Sequence, residues 1–200
     1  SDKSFLMLHP SLEIITNIGS DHLPNYENNI KNLEKAFIGF VKKLPFNGLA
    51  VVCGDDPIIS ELIPSFSRQV ITYGFKNSND YVIKDFIAKG LSSEFSVNYK
   101  GDNLFKAELN LPGKHNALNA VAASVLAIYE GISIINVQAA LKKFSGISRR
   151  MEFLGEINNQ GHKTILIDDY GHHPTEIKST IEAIKDSFPN KEIKMVFQPH

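Results

Sequence analysis

The apolar positions of this chain fall into two successive arrangements. In the first, short and nearly unbroken apolar runs at residues 13–18, 48–53 and 69–74 read as buried strands. Between the first two, Ile30, Leu33, Phe37, Phe40, Val41 and Leu44 recur at helical spacing, with lysines and Glu34 among them. Gly54-Asp55-Asp56-Pro57 reads as a strand-to-helix turn, with Asp56 as N-cap and Pro57 at the first helical position. A short helix reaching Phe66 follows. This β-α-β-α-β order predicts a parallel sheet with flanking helices.

The second arrangement drops the helices. Residues 81–88, 94–99 and 104–111 read as three strands, with Lys89-Gly90 and Gly101-Asp102-Asn103 as the turns. With no helix between them they should pair antiparallel, as a meander on the edge of the main sheet. Two helices come next. The first, over residues 116–130, should turn Leu118, Val121, Val125 and Tyr129 inward and end at Gly131; the second covers 136–144. A polar, basic connector at 146–150 suggests a boundary near Arg150, dividing the chain into 1–150 and 151–200. Beyond it the pattern predicts a hairpin around Asn158-Asn159-Gln160-Gly161 and a strand ending at Asp169. A helix from Pro174 to Phe188 with Ile177, Ile181 and Ile184, and a last strand at 193–197, complete the prediction. The fold class is therefore α/β: a parallel sheet with flanking helices and an antiparallel edge meander, followed by the first half of a second α/β domain.

Composition narrows the function classes. The 200 residues carry 21 Lys and Arg against 22 Asp and Glu, a net charge of -1. No basic surplus draws the chain to nucleic acid or anionic membrane. No apolar stretch is long enough to span a bilayer, and no signal peptide opens the sequence. The lone Cys53 excludes an internal disulfide and fits a reducing, cytoplasmic setting. The opening Ser1-Asp2-Lys3-Ser4 lacks a methionine, and the sequence stops at Pro199-His200 just after an apolar run, so the chain reads as a piece of a longer protein.

Four constellations could carry chemistry. Thr16-Asn17-Ile18-Gly19-Ser20-Asp21-His22 follows a predicted strand, where imidazole or carboxylate can bind a metal or orient a phosphate; taken alone it reads better as a plain turn, since one His and one Asp make no metal site. Pro112-Gly113-Lys114-His115-Asn116 runs into a helix with Asn119 on the same face. Free N–H groups there suit anions and the amides suit a purine edge, unless Asn116 is only a cap. Arg149-Arg150 suits bidentate phosphate contact or is an exposed basic pair. Asp168-Asp169-Tyr170-Gly171-His172-His173-Pro174-Thr175-Glu176 places four titratable groups within six residues at the carboxyl end of a strand, where open α/β sheets bind ligands. Its bland reading spends Asp169 on turn bonds and the histidines on a helix start. His200 would project from the same sheet edge if the strands are parallel.

Together these stretches resemble the Mur ligase family. The resemblance covers essentially all 200 residues. It rests on Thr16-Asn17-Ile18 with Asp21-His22, Gly54-Asp55-Asp56-Pro57, Pro112 to Asn116 with Asn119, Arg149-Arg150, Asp168 to Glu176, and Phe197-Gln198-Pro199-His200, in the family's order. Within the family the motifs are most like those of members that add L-alanine to UDP-N-acetylmuramate in peptidoglycan synthesis. The recycling ligase that attaches a tripeptide to the same sugar nucleotide typically has Phe-Ala where this chain has Tyr170-Gly171.

The resemblance implies the later part of a central ATPase domain in 1–150 and the first half of a C-terminal Rossmann-like domain in 151–200. It implies ATP and Mg²⁺ as cofactors and an acyl-phosphate intermediate. By motif, His22 would help hold Mg²⁺, and His115, Asn116 and Asn119 would contact adenine. Arg150 would reach the ATP phosphates and Asp168 the ribose. Tyr170, His172 and His200 would form the catalytic side, lining the amino-acid and muramoyl pocket. The family's phosphate-binding Gly-Lys-Thr loop is not in this sequence, so the chain alone should be inactive and should need the remaining parts of the same protein. Pro24 departs from the acidic residue the family often carries after His-Leu. A rival reading is a metal-dependent hydrolase built on His22, Asp168, Asp169, His172 and His173; a second is a binding module that has kept a ligase fold.

Overall fold

The computed structural model describes residues 3–159 and 162–198, leaving aside the side chains of 20–22, 159 and 162. A six-stranded sheet runs in the order β1 (Leu12–Ile15), β2 (Leu49–Cys53), β3 (Gln69–Gly74), β4 (Tyr81–Lys89), β5 (Ser92–Tyr99), β6 (Asp102–Leu109). A separate antiparallel pair joins β7 (Glu152–Asn159) to β8 (His162–Asp168). The helices are α1 (Ile30–Lys42), α2 (Pro57–Leu62), α3 (Lys114–Tyr129), α4 (Ile134–Lys143) and α5 (Pro174–Ser187). The chain divides into two compact units. One holds 1–84, 97–104 and 118–133; the other holds 85–96, 105–117 and 134–200. Among the described residues no helix is long and apolar enough to cross a membrane.

In the first unit, β1 pairs parallel with β2 and β2 with β3, as the strand–helix–strand order predicts. Every residue of β2 is buried, as expected of a strand with neighbours on both edges. The turn into α2 forms as read: Asp56 accepts a hydrogen bond from Ile59 N at 2.9 Å, and Pro57 opens the helix. Its partner Asp55 accepts from Phe75 N at 2.6 Å, Lys76 N at 3.0 Å and Asn79 Nδ2 at 3.0 Å. Gly54 is required here, because a Cβ would lie 2.1 Å from Asn79 Oδ1. These bonds fold residues 75–80 so tightly that β4 starts beside the end of β3. The two pair parallel over Tyr73–Gly74 and Tyr81–Val82 alone, without the long crossover such pairs ordinarily need. Two-residue turns then join β4 to β5 and β5 to β6, giving the antiparallel meander.

Several expectations need correction. The first strand ends at Ile15 rather than Ile18, because Ile18 N leaves the ladder and donates to Asp56 Oδ2 at 3.4 Å. The helix expected from Asn116 begins at Lys114, and Asn116 is not its cap: Asn116 Nδ2 donates to Pro112 O at 2.8 Å. Tyr129 does not turn inward but is 41% exposed, since it lies in the last turn of α3 before Gly131 closes the helix. The strand expected at 193–197 is absent. Backbone N–H and C=O groups of an apolar run form a strand only against a neighbouring strand, and the described residues offer it none; Met195, Val196 and Phe197 are exposed.

Candidate functional site

The second unit gathers three of the four constellations. Its first part is the loop before α3. Gly113 has φ +93°, a conformation glycine adopts readily, and a Cβ there would come within 2.8 Å of both Ala183 Cβ and His115 Cε1. The loop therefore packs directly against α5, the helix that the Asp168–Glu176 run opens. Burial holds the His115 imidazole below its ordinary pKa; the Asp169 carboxylate opposes this and the Arg150 guanidinium reinforces it. His115 is thus a neutral ring at neutral pH. Asn116 is half-buried and Asn119, further along α3, is exposed.

The second part is the connector. Arg149 and Met151 have φ +58° and +52°, the left-handed region, which costs a non-glycine residue about 1 kcal/mol. Four hydrogen bonds hold this shape. Glu152 Oε2 accepts from Arg149 N at 2.7 Å and from Ser148 Oγ at 2.9 Å. Asp169 Oδ2 accepts from Met151 N at 2.9 Å, and Tyr170 N donates to Arg149 O at 2.7 Å. These bonds to Arg149 N and Ser148 Oγ put the Glu152 carboxyl below its usual range. The connector is in this way tied to the end of β8.

The third part is the run itself. Asp169 Oδ1 also accepts from Gly171 N at 2.8 Å, so both its oxygens serve backbone N–H groups. Asp168 lies 3.6 Å from Arg149 Nε, and the Arg149 guanidinium sits 4.8 Å from the centre of the Tyr170 ring. Tyr170 and His172 meet edge to face at 5.3 Å. His173 caps α5: its Nδ1 accepts from Thr175 N at 3.4 Å, and Glu176 reaches back to His173 N at 3.4 Å. Glu176 also accepts from His172 N at 3.3 Å and lies 3.7 Å from Arg150 Nη1.

The sequence-predicted residues divide accordingly. His115, Asn116, Arg150, Asp168, Tyr170 and His172 all belong to this unit, whereas Asn119 and the Thr16–His22 loop belong to the other. The backbone of His22 lies in a 3-10 turn, Ser20–Tyr26, but its side chain is outside the described residues, as is all of His200. Among the described residues no group of three His, Cys, Asp or Glu side chains could hold a metal. The hydrolase reading loses Asp169 to the turn and His173 Nδ1 to the cap. Two residues that the sequence named only as parts of their motifs, with no role of their own, sit at the centre of the cluster: Arg149, folded over Tyr170, and Glu176, joined to His172, His173 and Arg150. The capping spacing from His173 to Glu176 was the available signal for the second.

Comparison with known proteins identifies the family. The family pattern described as Mur ligase middle domain matches residues 3–127, and that described as Mur ligase, glutamate ligase domain matches 149–200. Among solved structures, UDP-N-acetylmuramate-alanine ligase MurC from Thermotoga maritima is 29% identical, with a TM-score of 0.82 over 99% of this chain and 43% of its own. The murein peptide ligase from Psychrobacter arcticus is 26% identical, with a TM-score of 0.64 over 94% of this chain and 37% of its own. MurF ligase from Thermotoga maritima in complex with ADP, 20% identical, shares the fold at a TM-score of 0.73 over 88% of this chain and 39% of its own. The chain spans less than half the length of each. With the middle-domain pattern alone matching more than half of its residues, the chain belongs to the Mur ligase family.

Proposed function

We propose that this chain is part of an ATP-dependent ligase that adds L-alanine to UDP-N-acetylmuramate. The observation that carries the reading is the likeness to an alanine ligase of that substrate along 99% of the chain. The domain layout follows the same reading: 1–150 is the later part of a central ATPase domain, and 151–200 the first half of a C-terminal one. The chemistry is amide formation through an acyl phosphate, for which bound ATP supplies the phosphoryl group.

The described residues fit a nucleotide. His115, kept neutral by burial, offers a purine one donor and one acceptor rather than a charge. Asn116, tied through Nδ2 to Pro112 O, has a fixed amide plane, and Asn119 enters by resemblance alone. Arg150 has a half-exposed guanidinium whose pairing with Glu176, at 3.7 Å, is loose enough for a phosphate to compete for it. Asp168 takes the ribose. By resemblance, Tyr170, His172 and His200 take the amino-acid and muramoyl side of the reaction. For Mg²⁺ the described residues supply no donor set, so His22 enters by resemblance alone; Mg²⁺ prefers oxygen ligands, and a water could stand between it and an imidazole.

The alternative within the family, tripeptide addition, is weighed against by Tyr170-Gly171, where the recycling enzymes typically carry Phe-Ala. The test is phosphate release by the full-length protein with ATP, Mg²⁺ and UDP-N-acetylmuramate. Release that depends on L-alanine is expected. Release with the tripeptide and none with alanine would overturn the assignment.

A further inference from the structure

The Glu176 carboxylate stands where the cap of α5, the second arginine and the first histidine meet. Its Oε2 accepts from His172 N at 3.3 Å and His173 N at 3.4 Å, and lies 3.9 Å from His172 Nδ1. Its Oε1 lies 3.7 Å from Arg150 Nη1. Burial works against its ionised form, but the N–H groups of His173 and His172, with the charges of Arg150 and His172, outweigh it and hold the carboxyl below its usual range. The group is a carboxylate at neutral pH.

Two neighbours of His172 Nδ1 bear on where its proton sits. Nδ1 lies 3.2 Å from Tyr170 O, a carbonyl that can only accept. The Glu176 charge lies on the same side of the ring. Both favour hydrogen on Nδ1, which makes Nε2 the accepting nitrogen of the neutral imidazole. Glu176 also holds the His172 backbone N–H, and so the turn that brings Tyr170 O to Nδ1.

We propose that Glu176 is a positioning residue of the ligation reaction, acting through His172: it fixes the ring with its proton on Nδ1 and Nε2 as acceptor. The proposal rests on the ligase reading above. The competing role, a capping-box partner and nothing more, needs an oxygen at this position but no charge. Glu176→Gln separates the two, because the amide oxygen still accepts from the backbone while the charge is gone.

In the full-length protein, E176Q should lower kcat by at least about fivefold with KM for L-alanine and ATP little changed. E176Q combined with H172A should be no worse than H172A alone, within about twofold. A smaller fall in kcat, or a double variant whose losses multiply, would overturn the proposal. If the wild-type protein releases no phosphate with any acceptor, it is the ligase reading that fails, and the imidazole then decides the Glu176 role. In full-length protein labelled with ¹⁵N-histidine, His172 should show the Nδ1–H form, assigned by its loss in H172A, and E176Q should raise the share of Nε2–H. An Nε2–H form in wild type, or no change in E176Q, would refute the role of Glu176 without any appeal to turnover.

Discussion

Two stretches of this chain are written in nearly the same way and do different work. Cys53-Gly54-Asp55-Asp56-Pro57 and Ile167-Asp168-Asp169, with Pro174 following, both end a strand in two aspartates and enter a helix with proline at its first position. At the first, both carboxylates are consumed by structure: Asp55 by three donors, Asp56 by Ile59 N and Ile18 N. At the second, Asp169 alone closes the turn, and the cap passes to His173. That leaves Asp168, Tyr170 and His172 half-exposed beside two arginines. The difference lies in the residues inserted between the acids and the proline. Four extra positions let one motif close a turn and still leave a set of polar groups exposed.

The largest effect expected from breaking this contrast is at Asp55. Asp55→Ala takes the acceptor from Phe75 N and Lys76 N and one of the two acceptors of Asn79 Nδ2, which keeps Lys76 O. At about 1–3 kcal/mol for leaving a buried donor unpaired, with part of this set exposed, the variant should lose about 3 kcal/mol in urea unfolding. Wild-type stability would show that the first motif is not the closure its bonds suggest.

The converse effect belongs to the second motif. His172→Ala in the full-length protein should reduce alanine-dependent phosphate release by about 100-fold, about 2.7 kcal/mol of transition-state stabilisation. Its urea midpoint should stay where it is, since the ring is exposed and its removal spares the backbone bonds to Glu176. A variant that unfolds early, or that turns over at the wild-type rate, would erase the contrast.

How far this was legible in the residues follows from the range of each interaction. The turn at Asp56-Pro57, the strand Gln69–Gly74 and the hairpin β7–β8 are written in local signals: a cap, a proline, an apolar run between polar turns. The missing strand at 193–197 is not local. Its apolar pattern is real, but pairing depends on a neighbour no pattern within the segment can specify. The gathering of the 112–116 loop, the connector and the Asp168–Glu176 run was likewise unreadable, because it turns on Gly113 meeting Ala183 some seventy positions away. Each constellation was visible singly, and the contact that joins them was not.

A third acid sharpens the comparison by having no partner. Glu13 of β1 is 5% exposed, and among the described residues neither carboxylate oxygen finds a hydrogen-bond donor. Burial pushes its pKa up to about 7. Because the folded value lies above the unfolded one, its favourable contribution is complete below the ordinary glutamate range and is lost as pH rises through about 7. Glu13→Met should therefore stabilise the protein by about 1–3 kcal/mol at pH 8, where the wild-type group is charged and unpartnered, and by much less at pH 5. An equal gain at both values would mean that shape rather than charge is at fault.

The smallest effect separates the two adjacent histidines. His173 closes the first turn of α5 by accepting from Thr175 N, a role open to any good N-cap. His173→Ala should cost about 1 kcal/mol in urea unfolding, and His173→Ser should restore most of it. Both variants should ligate at close to the wild-type rate in the full-length protein, unlike His172→Ala. Full stability with slowed ligation in His173→Ser would mean that the imidazole does more than cap. The second motif would then hold two working histidines, and its closure would rest on Asp169 and Glu176 alone.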